Sequence, residues 1–246
     1  MAHDRSFPLV TRILIGIVWP TLQVLTKRER RGEEKLPKRG GYVIASNHLS
    51  YIDPFVMAQW EADNKIPPRY LVKDSVFDIP VGGWLMKKVR HIPVYRGTAD
   101  AAKALSAAVD AVKKGGVITI YPEGTMTRDP EAWPMSGFNG AVRVAVAGGV
   151  PIVPVAQWGP QEILWPYRKG WNVFPRKTMH ISVGDPIDVS YLGDDPTEEQ
   201  LTEATNLLMD KITELQAEIR GEVPTTPRID VHTLKKPETN RESQED

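Results

Sequence analysis

Gly41-Tyr42-Val43-Ile44-Ala45-Ser46-Asn47-His48-Leu49-Ser50-Tyr51-Ile52-Asp53-Pro54 runs from an apolar stretch through a polar turn into a helix start. A short continuous apolar run bounded by turn residues reads as a buried strand, and Gly41–Ala45 has that form. Asp53-Pro54 reads as the opening of a helix, because proline is pre-organised for the first helical position and aspartate can cap free amides. His48 therefore falls on a strand-to-helix turn, five positions before Asp53. A free imidazole, titrating at about 6.5, can accept a proton near neutrality. A carboxylate bonded to its other nitrogen fixes the tautomer and stabilises the imidazolium. Taken singly, Asp53 fits an N-cap and His48 a hydrogen-bonded strand-end histidine equally well.

Outward from this unit, apolar runs alternate with helical patterns, the signature of an α/β domain. The pattern predicts strands near Tyr42–Ser46, Arg69–Val72, Ile92–Tyr95, Val117–Tyr121, Ile152–Gln157 and His180–Val183. Helices are expected over Asp53–Glu61, Gly82–Lys88, Ala99–Lys114 and Asn139–Ala147, with an amphipathic one over Thr197–Arg220 introduced by Pro196. The expectation is a single α/β domain with a mostly parallel or mixed central sheet flanked by helices. At 246 residues with 41% apolar content, one large domain with a sizeable core fits better than two.

The chain has no cysteine, which removes disulfides, thiolate metal sites and a thiol nucleophile together. Thirty-one basic against thirty-one acidic residues give no global field that suggests nucleic acid. Locally, seven basic and three acidic residues run from Lys27 to Arg39, directly after an apolar segment from Phe7 to Leu25. That segment lacks a signal-peptide cleavage site, carries Arg12 and Pro20, and is marginal against the roughly 20 residues a membrane span needs. An interfacial helix fits it better, with Phe7, Leu14, Ile17, Val18, Leu22 and Leu25 on an apolar face and the basic run meeting anionic headgroups. A core helix with a solvated charged turn behind it and a single membrane span are the alternatives. The chain is thus divided into residues 1–40, a membrane-associating helix and basic linker; 41–221, the α/β domain; and 222–246, a polar tail read as disordered.

Further constellations lie at predicted strand ends, where α/β sheets place their ligand sites. Ile92-Pro93-Val94-Tyr95-Arg96-Gly97 presents a guanidinium suited to a bidentate phosphate grip. Tyr121-Pro122-Glu123-Gly124-Thr125 follows a strand directly, with Arg128 close behind; Pro122 enforces an extended turn and Gly124 permits close backbone approach. Gly137–Arg143 opens a helix whose first amides could face an anion. Val150–Ala156 is a strand bracketed by prolines, which reads as wall rather than chemistry.

In order and composition these blocks resemble the glycerolipid acyltransferase family, the 1-acylglycerol-3-phosphate acyltransferases and their relatives. His48 and Asp53 match its His-x4-Asp block, Ile92–Arg96 its strand closing on arginine, Pro122–Thr125 its Pro-Glu-Gly-Thr block, and Val150–Val155 its proline-bracketed block. Met126 stands where family members often have arginine, and Phe138 where they commonly have lysine. Both departures remove a cation from the expected phosphate site. The resemblance implies transfer of a fatty acyl group from acyl-CoA or acyl carrier protein to a lysophospholipid hydroxyl. His48 would be the base and Asp53 its orienter; Arg96, Glu123, Gly124, Thr125 and Arg128 would bind the acceptor. No metal or bound cofactor is implied, and the expected location is the cytoplasmic face of the cell membrane. Glycerol-3-phosphate or another lysolipid is the alternative acceptor, and a lipid-binding module without catalysis is the alternative class. A serine hydrolase finds no Gly-x-Ser-x-Gly elbow, and a metal hydrolase finds no ligand-like spacing around His91, Glu162 or His180.

Overall fold

A computed structural model describes residues 6–94 and 101–234. In chain order the main elements are α1 (Leu9–Leu25), β1 (Thr26–Arg31), β2 (Tyr42–Ser46), α2 (Asp53–Asp63), β3 (Leu71–Lys73), α3 (Pro80–Lys88), β4 (Ile92–Val94), α4 (Ala101–Lys113), β5 (Val117–Ile120), α5 (Gly140–Gly148), β6 (Ile152–Trp158), α6 (Pro160–Ile163), β7 (Lys177–Val183) and α7 (Glu198–Arg220). Five strands form a mixed sheet in the order β1-β7-β6-β2-β5, parallel except where β6 meets β7. β3 and β4 pair separately, and a bridge from Tyr70 to Thr119 sets them beside β5.

Because strand side chains alternate between faces, β2 divides its apolar residues between two cores. Val43 and Ala45 pack with Ile118, Ile120 and the apolar faces of α4, α5 and α7. Tyr42 and Ile44 pack on the other face with Val56, Met57 and Trp60 of α2 and with Met179 and Ile181 of β7. Helices therefore cover both faces, which accounts for the continuous apolar composition of β2 and β5. Gly41 allows the entry to β2: a Cβ there would lie 2.0 Å from the Val112 carbonyl oxygen. α7 begins with Thr197 and Gln200 satisfying each other's backbone amides in a capping box.

Three expectations change. The basic stretch after α1 is not a linker, because Thr26–Arg31 forms edge strand β1, registered in parallel against β7. Three of its cations are engaged: Arg30 lies 2.7 Å and Arg28 3.5 Å from the Asp63 carboxylate, and Lys35 3.1 Å from Asp185. Residues 222–234 are not a free tail either. The Ser136 amide donates to the Ile229 carbonyl, the Ser136 hydroxyl bonds Asp230, and Val231 is buried. Third, the apolar face read on α1 is mostly its inner face. Leu22 is buried, and Phe7, Leu14, Val18 and Leu25 are half-buried. The exposed stripe is Leu9, Ile13, Ile17 and Val24, spaced to fall on one side of a helix. α1 is thus apolar around most of its circumference, one side against the body and one facing out. Among the described residues no helix is long and apolar enough to cross a membrane.

Candidate active site

The C-terminal end of β2 fixes the site. Buried Asn47 follows the strand, donates to the Gln157 carbonyl and the Gln216 side chain, and accepts from the Gln157 amide at 2.9 Å. It therefore joins β2 to β6 and α7 at the residue preceding His48. The His48 carbonyl accepts from the Thr127 amide at 2.7 Å, so the backbone carrying the imidazole is held on both sides.

His48 Nδ1 lies 2.8 Å from Oδ2 of Asp53. The histidine side chain keeps 19% of its surface, while Asp53 has none. Asp53 opens α2, yet its carboxylate turns back to accept the Leu49 and Ser50 amides of the preceding turn, and the helix has no side-chain cap. The reading of Asp53 as a simple N-cap is therefore replaced by that of a group organising the turn and the ring together. Burial pushes the Asp53 carboxyl up from its ordinary value, opposed by the bond to His48, its charge and the two amides. With Asp53 occupying Nδ1, Nε2 is the nitrogen left for a substrate proton. The face of the ring rests on Tyr121, centroids 4.4 Å apart and planes 21° from parallel.

The structure gives Glu123 a different task from the acceptor contact expected of it. It is fully buried; Oε1 accepts the His48 amide at 2.9 Å and Oε2 the Met135 amide at 3.0 Å. Burial raises its carboxyl to about 8, against the pull of those amides. Glu123 thus ties the His48 turn to the loop before α5. Gly124, at φ +66°, makes the tight bend that aims the glutamate inward. Glu123→Gln would set an amide NH2 against a backbone N–H. We expect about 1–3 kcal/mol of lost stability together with reduced turnover, read by thermal melting and initial rates.

Thr125 stays at the rim, its hydroxyl 3.0 Å from the Tyr167 hydroxyl, which donates to the Met126 carbonyl. Exposed Arg128 lies over the Tyr167 ring at 5.2 Å. Met126 is buried, so the side chain standing in place of a cation points into the protein. Phe138 is exposed and meets His232 edge-on. Arg96 lies outside the described residues. Among the described residues, no three His, Asp or Glu side chains are grouped to hold a metal ion.

Sequence reasoning passed over two groups. Tyr121 was legible only as part of the turn, though an aromatic at a strand end beside a functional loop is a usable signal. Glu61, on α2, accepts from the hydroxyls of Tyr70 and Thr119 and is wholly buried; burial raises it to about 7. Tyr70 in turn stacks parallel to Tyr121 at 6.3 Å. A folded-state value above the ordinary 4.5 means that the folded protein binds this proton more tightly than the unfolded chain. The contribution of Glu61 to stability is then greatest below about pH 4.5, falls as pH rises toward 7, and levels beyond it, a change of about 3 kcal/mol. Glu61→Gln should remove that slope, measured as the difference between wild-type and variant denaturation curves across pH.

A family model described as Acyltransferase matches residues 27–158. The 1-acyl-sn-glycerol-3-phosphate acyltransferase of Bacillus subtilis is 28% identical over 184 residues, covering 75% of this chain and 85% of that protein. The protein of the same name from Saccharomyces cerevisiae is 28% identical over 215 residues, covering 86% and 65%. Against the chloroplastic protein of Brassica napus the identity is 29%, and this chain spans only 43% of that relative's length. The crystal structure of the 1-acyl-sn-glycerophosphate acyltransferase of Thermotoga maritima superposes with a TM-score of 0.65 at 20% identity, over 84% of this chain and 80% of that one.

Proposed function

The chain belongs to the acyltransferase family, and from that premise we propose that it transfers a fatty acyl group to the hydroxyl of 1-acylglycerol-3-phosphate, giving phosphatidic acid. The observation that carries this reading is the 2.8 Å pairing of a part-exposed His48 with a fully buried Asp53. The relatives' names supply the acceptor. The donor is a fatty acyl thioester, acyl-CoA or acyl carrier protein.

Nε2 of His48 takes the proton as the acceptor oxygen attacks the thioester carbonyl, and the C–O bond forms. Asp53 holds the Nδ1–H tautomer and stabilises the imidazolium, in the manner of the acid in a hydrolase triad. The tetrahedral intermediate collapses with loss of the C–S bond, and the leaving thiolate recovers the proton from His48. Glu123 acts through the backbone of His48, as a positioning residue. Thr125, with its hydroxyl at the rim, contributes a hydrogen bond to the acceptor, and Arg96 is assigned the acceptor phosphate on the strength of its motif. Arg96→Ala is accordingly expected to raise the acceptor KM with little change in kcat, as steady-state rates at varied acceptor concentration would show.

Both acceptor and product partition into a bilayer, so a site resting on the cytosolic leaflet meets them there. The exposed stripe of α1 supports this placement. Purified protein offered a panel of acyl thioesters and lyso-acceptors, with products read by mass spectrometry, tests the proposal. Phosphatidic acid should be the major product, and a panel showing turnover only of glycerol-3-phosphate or a glycolipid would redirect it.

A further inference from the structure

We propose that the segment joining α6 to β7, residues 164–176, is a second bilayer-contacting element that docks on anionic headgroups beside α1. The proposal extends the membrane placement above, but it stands on a different part of the chain. Trp171 and Phe174 are 70% and 71% exposed. They flank Val173, which packs against the core, and the Asn172 amide donates to the Ile163 carbonyl at 2.8 Å. The segment is therefore fastened through its middle while both large aromatics are presented outward.

Charge points to the partner. From Ile163 to Gly184 the sequence holds no acidic residue, but it carries Arg168, Lys169, Arg176 and Lys177. Aromatic bodies set among cations are the composition of an interfacial element, the rings seated at the level of the headgroups and the cations drawn to anionic lipid.

Position points to the same partner. One Nη of Arg176 donates to the Gln23 and Thr26 carbonyls at 2.7 and 2.6 Å, fastening the segment to the last turn of α1 next to exposed Val24. The apolar stripe of α1 and the Trp171–Phe174 tip are thus joined at their bases. At its other end the segment reaches the site: the Leu164 carbonyl accepts from Ser50 in the His48 turn, and Tyr167 bonds Thr125 and Met126. An element touching the bilayer at one end and the acceptor rim at the other would set the depth of the site relative to the headgroups.

The test uses the full chain and phosphatidylcholine vesicles with and without phosphatidylglycerol. Trp171→Ala/Phe174→Ala should weaken vesicle partition at least about tenfold, from the apolar surface removed. Arg168→Glu/Lys169→Glu should abolish the preference for phosphatidylglycerol. Both variants should turn over a short-chain, water-soluble acceptor at the wild-type rate, which shows them folded. Undiminished partition of both variants would overturn the proposal. So would sedimentation velocity showing a lipid-free wild-type dimer that the aromatic substitutions dissociate, since the patch would then belong to a second copy of the chain. A wild type inactive on every acceptor would count against the proposed function and leave the vesicle result standing.

Discussion

His48→Ala is expected to lower acyl transfer by about 10²–10⁴-fold, the range that a positioned general base supplies, while leaving the melting temperature close to that of the wild type. The structural grounds for the second half are specific. The turn is held by backbone groups, with the His48 amide on Glu123 and its carbonyl on Thr127. The imidazole itself contributes one bond to Asp53 and one stacked face to Tyr121. Alanine keeps the backbone contacts and removes only the ring. The buried carboxylate of Asp53 loses one of its three donors and keeps the Leu49 and Ser50 amides. Initial rates with a radiolabelled acyl donor, alongside a thermal melt, check both halves at once. Equal rates would remove His48 as the base.

Asp53→Asn is expected to cut kcat by up to about 10⁴-fold, as losing the orienting acid does in other base-activated sites, with the acceptor KM little changed. One oxygen, Oδ2, serves His48 Nδ1 and two backbone amides. An asparagine that keeps its oxygen there preserves these contacts but carries no charge to stabilise the imidazolium. One that turns its NH2 inward sets a donor against three donors. The first arrangement costs rate alone, and the second adds about 1–3 kcal/mol of instability. A fall in kcat without a matching rise in KM would mark a loss confined to the transition state. A variant losing only KM would assign Asp53 to binding.

The parts of this molecule legible in sequence are those set by local pattern. β2, β5 and β6 are short apolar runs between turn signals, α7 carries its capping box, and the His48–Asp53 spacing spans a single turn. What escaped depends on partners far along the chain. β1 reads Thr-Lys-Arg-Glu-Arg-Arg, with no apolar alternation; its extension comes from β7, about 150 residues on, and its Arg28 and Arg30 pair with Asp63. Glu123 could be placed on a turn, but the direction of its side chain follows from where residues 48 and 135 come to rest. α1 could be recognised as apolar, but which side faces the body is decided by α2 and α3. The 222–234 segment looked polar and patternless because it is held mainly by hydrogen bonds to Ser136 and Asp210, with Val231 its one buried apolar side chain.

The most direct test of the central claim couples two readouts in one reaction: thiol released from an acyl thioester and diacyl phosphate formed from 1-acylglycerol-3-phosphate, for wild type and His48→Ala side by side. The wild type should yield thiol and phosphatidic acid in equal amounts, and the variant should form both about 10²–10⁴-fold more slowly. Thiol release by wild type without the lipid product, or equal product from the variant, would contradict the claim.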